Sequence, residues 1–590
     1  MAIGNSHDGE ISRRAFIVGA GATAASVAAL GLAAPSVSAA PRARRRVAVF
    51  GGGPGGLTAA QELTERGFSV SVFERHAVLG GKCRSQPVPG TASGGRQGLP
   101  IEPGLHVLYG GYPHMNPMFE RIPLSRRGSV QDNILKVQAD DMGFVVQFVT
   151  SLLKAVTPRK GFDIREAAMV KALSSFAAEL PQVNPADVAL IVSKMMAIIT
   201  SGKRRRSQVL ENVSVPQFTG AEKLDPFTSF VWDEAWGQFG NALDTVSAKA
   251  MANGLLRISG WFGTEGLYDQ RLMGIFSAPT NDALVRPWRE YLEKRGVRFH
   301  TGQRLVRLAC SAKTIDRAFV RDSAGRISAV DADWYVLAMP PDKCATVMNP
   351  QILSADPRLS GLAKYGKEPF AAVHLFYYKR PDLVAPMLHS RWFWAAFEYS
   401  DLWPFTFSDY YGDGKVRDYL TVDVGQVQRK GLLGKRIPQM SSKMEYLDEM
   451  KAQYGRFDID IARGLARFEL GPQYQFGRDG RIVNDEPCFT HPVSGYKYFP
   501  NNDARKIGNL FFGSSCAMTS TEADCVDSAV EGGRRAANAI LDAAGSSASP
   551  AWVRALEEPS PLFRPFWDED DRRYAAGRPN LFDVVSPYRA

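Results

Sequence analysis

The chain has 590 residues, 45% of them hydrophobic, and a formal net charge of +10. That length supports more than one core and points to two intertwined domains rather than one. Six cysteines are too few for a disulfide scaffold, and neither metal-ligand spacing nor a basic helix accompanies the charge; no metal and no nucleic acid are expected, and the positive balance is left for acidic ligands or an anionic membrane surface.

Residues 1–40 read as a processing segment. Arg13 and Arg14 precede an Ala- and Gly-rich apolar run that ends on small residues around Ala39 and Ala40, and the whole resembles a bacterial twin-arginine export signal. A Tat translocase as partner, an exported periplasmic or extracellular destination and peripheral membrane contact are the expectations; an uncleaved N-terminal anchor is the alternative.

A dinucleotide fingerprint follows. Val47 to Phe50 read as a buried parallel strand and Leu57 begins a helical pattern, with Gly51, Gly53, Pro54, Gly55 and Gly56 in the crossing between them. In that spacing Gly51 permits the tight turn, Gly53 admits a pyrophosphate to the backbone, Gly56 lets helix and strand pack, and the helix N-terminus receives the phosphates. A second strand, Phe68 to Phe73, ends on Glu74, whose carboxylate suits the hydroxyls of an adenosine ribose. Gly80 and Gly81 allow a further close backbone approach, and Lys82 and Arg84 add positive charge, which extends the reading toward a flavin.

In the stretch after Arg96, His106 reads as a histidine held by backbone bonds beside the cofactor in preference to a catalytic base, because no carboxylate partner is visible nearby. His106 and Tyr109 are still the side chains best placed to reach flavin or substrate. Residues 112–270 read as mostly helical, with Met195 and Met196 as core and Lys203 to Arg206 as a solvated loop. From 271 a helix closed by Gly296, a hairpin at Ala324-Gly325 and the apolar strand Trp334 to Ala338 return the chain to the cofactor region, with His300 structural. An antiparallel sheet is expected over 355–480, where aromatics from Trp392 to Tyr411 either fill a core or line a pocket. A last strand, Asn509 to Phe512, runs through Gly513 and a polar crossing into a helix of small residues. The tail after Gly545 is assigned no chemistry.

Gly51 to Gly56 with Glu74, the GGKCRS that follows, GLHVLYGGYPHM with Asn116 and Phe119, and the terminal NLFFGSS…DSAVEGGRRAA resemble the FAD-dependent amine oxidase and phytoene desaturase superfamily. The substrate-side stretch is most similar to phytoene and zeta-carotene desaturases. The resemblance implies an α/β fold in which a glutathione-reductase-like FAD-binding Rossmann domain, discontinuous over 45–111, 271–350 and 481–545, interleaves with an α+β substrate domain over 112–270 and 351–480. Residues 546–590 form a C-terminal tail. It implies FAD held at its adenosine and pyrophosphate by Gly51, Gly53, Pro54, Gly55, Gly56, Glu74, Gly81, Lys82 and Arg84, with adenine on the backbone of Val306 and the ribityl chain and ring beside Gly513, Asp527 and Val530. The implied reaction is hydride transfer from a C–H bond of a hydrophobic, isoprenoid or carotenoid-like substrate to flavin N5, with quinone or oxygen as acceptor. The alternatives are an amine or amino-acid oxidase, with Arg271 or Arg286 receiving a carboxylate, and a flavoprotein without redox turnover.

Overall fold

The computed structural model describes residues 45–109, 112–136, 185–225, 229, 244–258, 274–368, 370–381, 392–559 and 563–583. The expected export signal, Gly110, Gly111 and Arg271 lie outside them.

Strand β1 (Arg46–Phe50), helix α1 (Pro54–Thr64) and strand β2 (Ser69–Glu74) form the opening unit. Helices α2 (Pro185–Thr200) and α3 (Ala248–Ile258) follow, and then α4 (Arg286–Lys294), which leads into β3 (Arg298–Thr301). A meander of β4 (Arg304–Ser311), β5 (Thr314–Arg321) and β6 (Ile327–Val330) returns to β7 (Trp334–Leu337). Beyond it lie β8 (Ala371–Tyr377), β9 (Phe393–Glu398), β10 (Asp418–Gly425), helix α5 (Lys443–Gly455), β11 (Leu465–Leu470), β12 (Leu510–Phe512), α6 (Val526–Ala543) and α7 (Arg564–Ala575).

The central sheet is parallel, in the order β12-β7-β1-β2-β3. It therefore joins strands from both ends of the chain, and its alternation sets two cores. Val47, Val49, Val70 and Val72 face α1, α4 and α6, while Ala48, Phe50, Tyr335 and Leu337 face the β4-β5-β6 meander. Gly325, at φ +82°, turns β5 into β6. A second, antiparallel sheet runs β9-β10-β8-β11, as the alternation over 355–480 leads one to expect. Its two faces differ: Leu420, Val422 and Val424 pack into a core with α5, while Tyr419, Thr421 and Asp423 point the other way.

Two sequence expectations change here. Lys203–Gln208 is a helix rather than a solvated loop, and Arg205 and Arg206 are buried in it, because Asp570 from α7 bonds Arg205 at 3.0 Å and the Arg206 guanidinium lies 4.4 Å from the Trp567 ring centroid. The tail supplies those partners, so it is part of the helical core: Phe563, Trp567 and Phe582 pack with Met195, Met196 and Met251 of α2 and α3.

Candidate active site

At the end of β1 the chain turns through Gly51 at φ +117°, where a Cβ would stand 2.2 Å from the Ala338 carbonyl oxygen. Its N–H donates to the Phe73 carbonyl at 2.8 Å. Helix α1 then starts on Pro54 with Gly53 at its N-cap and no side chain capping it, which leaves first-turn N–H groups facing outward. Gly81 comes back over this end: a Cβ on Gly53 would lie 3.6 Å from the Gly81 Cα. Gly51, Gly53, Pro54, Gly55 and Gly81 all line one cavity of about 540 Å³. Gly56 does not; a Cβ there would meet the Gly51 carbonyl at 1.9 Å, so it serves helix–strand packing.

Glu74 lines the same cavity and is buried. Its Oε2 accepts the Gly52 N–H and its Oε1 the His76 N–H, each at 2.8 Å, and each oxygen keeps a second lone pair for a ligand hydroxyl. Lys82 also lines the cavity and is paired with Asp524. Arg84 lies behind the wall: it donates to Glu486 at 2.6 Å and to the Gly81 carbonyl at 2.8 Å, so it braces the glycine turn instead of touching a ligand. Glu486 is shared with His76 and Arg75, and although burial opposes its charge, the His76 hydrogen bond and the Arg84 and Arg75 guanidinium groups hold its carboxyl well below the usual range.

His106 and Tyr109 both face the cavity. The carboxylate absent from the sequence reading is Glu102, which receives the His106 Nδ1–H at 2.6 Å while Nε2–H donates to the Lys82 carbonyl at 3.0 Å. Burial disfavours the imidazolium, but Glu102 outweighs it and raises the pKa well above the ordinary histidine value. With both nitrogens donating, the ring has no lone pair for a general base; it ties the 102–109 loop to the glycine turn, and the Thr280 hydroxyl completes the network on Glu102 at 3.0 Å. Tyr109 packs edge-on to Tyr112, and burial raises its hydroxyl pKa.

The remaining sequence assignments sit away from the cavity surface. Val306 is the extra residue of a bulge between Leu305 and Arg307, which frees its backbone from the ladder, while Arg304 and Leu305 line the cavity. Gly513 backs the crossing, where its carbonyl would meet a Cβ on Gly55 at 2.2 Å. Asp527 is buried and accepts the N–H groups of His114 and Met115 at 2.8 Å, and these with the His114 ring hold its pKa down against burial. Val530 is core. The cavity wall is instead made by Ser514, Ser515, Thr521 to Val526 and Ala529. Arg286 pairs with Asp282 and is 60% exposed, which takes it out of any carboxylate-receiving role in the cavity.

Sequence reasoning missed the polar part of the floor, while Phe397 is one of the aromatics expected to fill a core or line a pocket. Asp423 and Gln473 line the cavity together with Tyr112, Met251, Phe276, Phe370, Phe397 and Phe489. Asp423 accepts the Leu105 N–H at 3.0 Å; burial, which that bond and His106 only partly offset, pushes its pKa up to about 7. Gln473 Oε1 is buried with no hydrogen-bond partner among the described residues. A signal existed in the strand itself, where Tyr419, Thr421 and Asp423 occupy one face of an otherwise apolar alternation.

The family model for flavin containing amine oxidoreductases matches residues 54–541. The chain belongs to this family. Among curated relatives, it is 25% identical over 315 residues to a zeta-carotene desaturase of Synechocystis, covering 50% of this chain and 57% of the relative. It is 37% identical over 82 residues to a 15-cis-phytoene desaturase of Synechococcus elongatus, covering 14% of this chain and 16% of the relative. The chain thus spans less than two thirds of either. Its fold is that of putrescine oxidase bound to putrescine, with a TM-score of 0.53, 14% identity and coverage of 85% of this chain and 99% of that one. Cyclohexylamine oxidase from Brevibacterium oxydans gives a TM-score of 0.53 at 14% identity, over 85% and 100% of the two chains. Membership of the family implies FAD, and the cradle fits it: side-chain-free glycine backbone and an uncapped helix N-terminus suit the pyrophosphate, and the spare lone pairs of Glu74 suit the ribose.

Proposed function

We propose that this chain is an FAD-dependent oxidoreductase that oxidises a hydrophobic amine at the carbon next to nitrogen. The flavin supplies the hydride acceptor, and the protein supplies orientation, a water-excluding wall and charge. The observation that carries the reading is the floor of the cavity, where the buried Asp423 carboxylate stands among aromatic side chains beside the Gln473 amide. A carboxylate there calls for a cationic N–H donor, and a polyene offers none. The aromatics then hold the apolar part of the substrate, and Asp423 holds its ammonium.

Desaturation of an isoprenoid is the second reading, supported by the desaturase relatives and the apolar lining. Peroxide release distinguishes the two when a panel of aliphatic and aralkyl amines is compared with a linear polyene. Turnover of an amine that Asp423→Asn weakens mainly through KM supports the amine reading; turnover of the polyene alone, unaffected by that substitution, overturns it. Export of the folded, loaded protein is part of the same proposal, and a flavoprotein confined to the cytoplasmic fraction would contradict it.

A further inference from the structure

Beside the cavity, at the start of α3, lies a buried polar cluster that the floor does not use. Glu522 lines the cavity, is 4% exposed and holds a left-handed backbone at φ +53°, a strained conformation for a residue with a Cβ. One of its carboxylate oxygens, Oε1, accepts from Lys249 Nζ at 3.0 Å. The other, Oε2, is buried with no hydrogen-bond partner among the described residues, and so is the hydroxyl of Thr521 next to it. The Lys249 side chain is 1% exposed and also reaches Glu557 at 3.2 Å, whose own side chain is 27% exposed. Its ammonium stands 3.3 Å from the Tyr496 ring centroid.

Three titratable groups in hydrogen-bond range therefore run from the cavity wall to solvent. We propose that Glu522, Lys249 and Glu557 are a proton port of the cavity. Glu522, its carboxyl turning toward the cavity it lines, takes a proton from an N–H or a water there; Lys249 passes one of its protons to Glu557 and regains one from Glu522 once that carboxyl has turned back; Glu557 releases its proton to water. Each O–H or N–H bond broken is matched by one formed, no electrons move, and the port runs equally in reverse. Burial opposes the Lys249 charge, but Glu522, Tyr496 and Glu557 outweigh it, so Lys249 gives a proton only as it gains one. The other groups around it are Arg206, which burial draws down to about 10, Glu211, raised by burial to about 7, and His491, kept neutral by burial and by Lys249.

The need for a port rests on the oxidase reading, since an ammonium must shed a proton before hydride leaves its carbon. The test requires no substrate, so failure of the amine reading leaves it interpretable. Flavin-loaded protein is photoreduced with EDTA as sacrificial electron donor, mixed with oxygen in weak buffer, and followed by the return of the oxidised flavin absorbance, a reaction in which the anionic reduced flavin draws one solvent proton for each O2 converted to H2O2. Glu522→Gln is expected to slow this by about 10²-fold and Glu557→Ala by roughly tenfold. Added formate or imidazole restores the Glu557→Ala rate and leaves the parent unchanged. Unaltered flavin content and melting temperature establish that Glu557→Ala is folded, and this partly exposed position decides the matter if Glu522→Gln does not fold. A Glu557→Ala protein that reoxidises at the parental rate in weak buffer, or whose slow rate no added acid restores, overturns the proposal.

Discussion

In the proposed amine reading, substrate choice turns on Asp423, which lines the cavity floor. With its pKa pushed to about 7 by burial, its charge changes near neutrality. Below that pH it is neutral and holds an ammonium only weakly, so KM for an amine should fall as pH rises through about 7, and Asp423→Asn should flatten the profile. The same shift has a stability sign. A carboxyl whose folded pKa exceeds the unfolded value of 3.8 contributes stability below that value and loses it as pH rises through about 7. Asp423→Asn should therefore raise the melting temperature above neutral pH and not in acid, as calorimetry at two pH values would show; equal effects at both would contradict the assignment. Such residues were hard to read in advance. Gly51, Gly53 and Glu74 were legible because the turn, cradle and carboxylate all lie within one local unit. Asp423 meets Leu105 across 318 residues of sequence, and its cavity-facing role exists only once that loop is docked. The Glu102 partner of His106 is four residues away but outside any helix, where spacing gives no contact rule.

At the level of elements, the glycine crossing does two separable jobs. Gly55 packs α1 onto the C-terminal crossing, and a Cβ there would stand 2.2 Å from the Gly513 carbonyl oxygen and 3.0 Å from that of Ala529. Backbone atoms cannot yield, so Gly55→Ala should cost more than the roughly 1–3 kcal/mol of ordinary overpacking and leave little soluble protein. Gly53→Ala meets only an ordinary contact at 3.6 Å but puts a methyl into the cradle. It should fold with a near-parental melting temperature in the apo form and bind flavin more weakly, by about tenfold or more in Kd for a loss of 1.4 kcal/mol. The reverse pattern would place the pyrophosphate elsewhere. The helix at Lys203–Gln208 shows the limit of reading elements from charge: a run of cations signals solvent until Asp570 and Trp567 arrive from the other end of the chain.

Across the whole molecule, the chain ends do more than frame the site. The parallel sheet takes β12 from residues 510–512 beside β7, an outcome the sequence indicated because a glycine crossing and a late apolar strand both needed a common ladder. The tail gave no such sign, since its apolar residues are broken up by Pro and charged residues and its partners in the helical core lie far back in the chain, as with Trp567 donating to the Ile199 carbonyl across 368 residues. Deleting residues 546–590 should uncover Met195, Met196 and Met251 and remove Glu557 from Lys249, leaving aggregated or flavin-free protein by size exclusion and absorbance. A truncated form that stays monodisperse and flavin-loaded would show the tail to be dispensable. The proposed amine oxidation with FAD is checked by the absorbance of the purified, flavin-loaded protein under anaerobic titration with the amine panel. A hydrophobic amine is expected to bleach the flavin; a protein that binds no flavin, or a flavin that every amine leaves oxidised while a polyene reduces it, would overturn the amine reading.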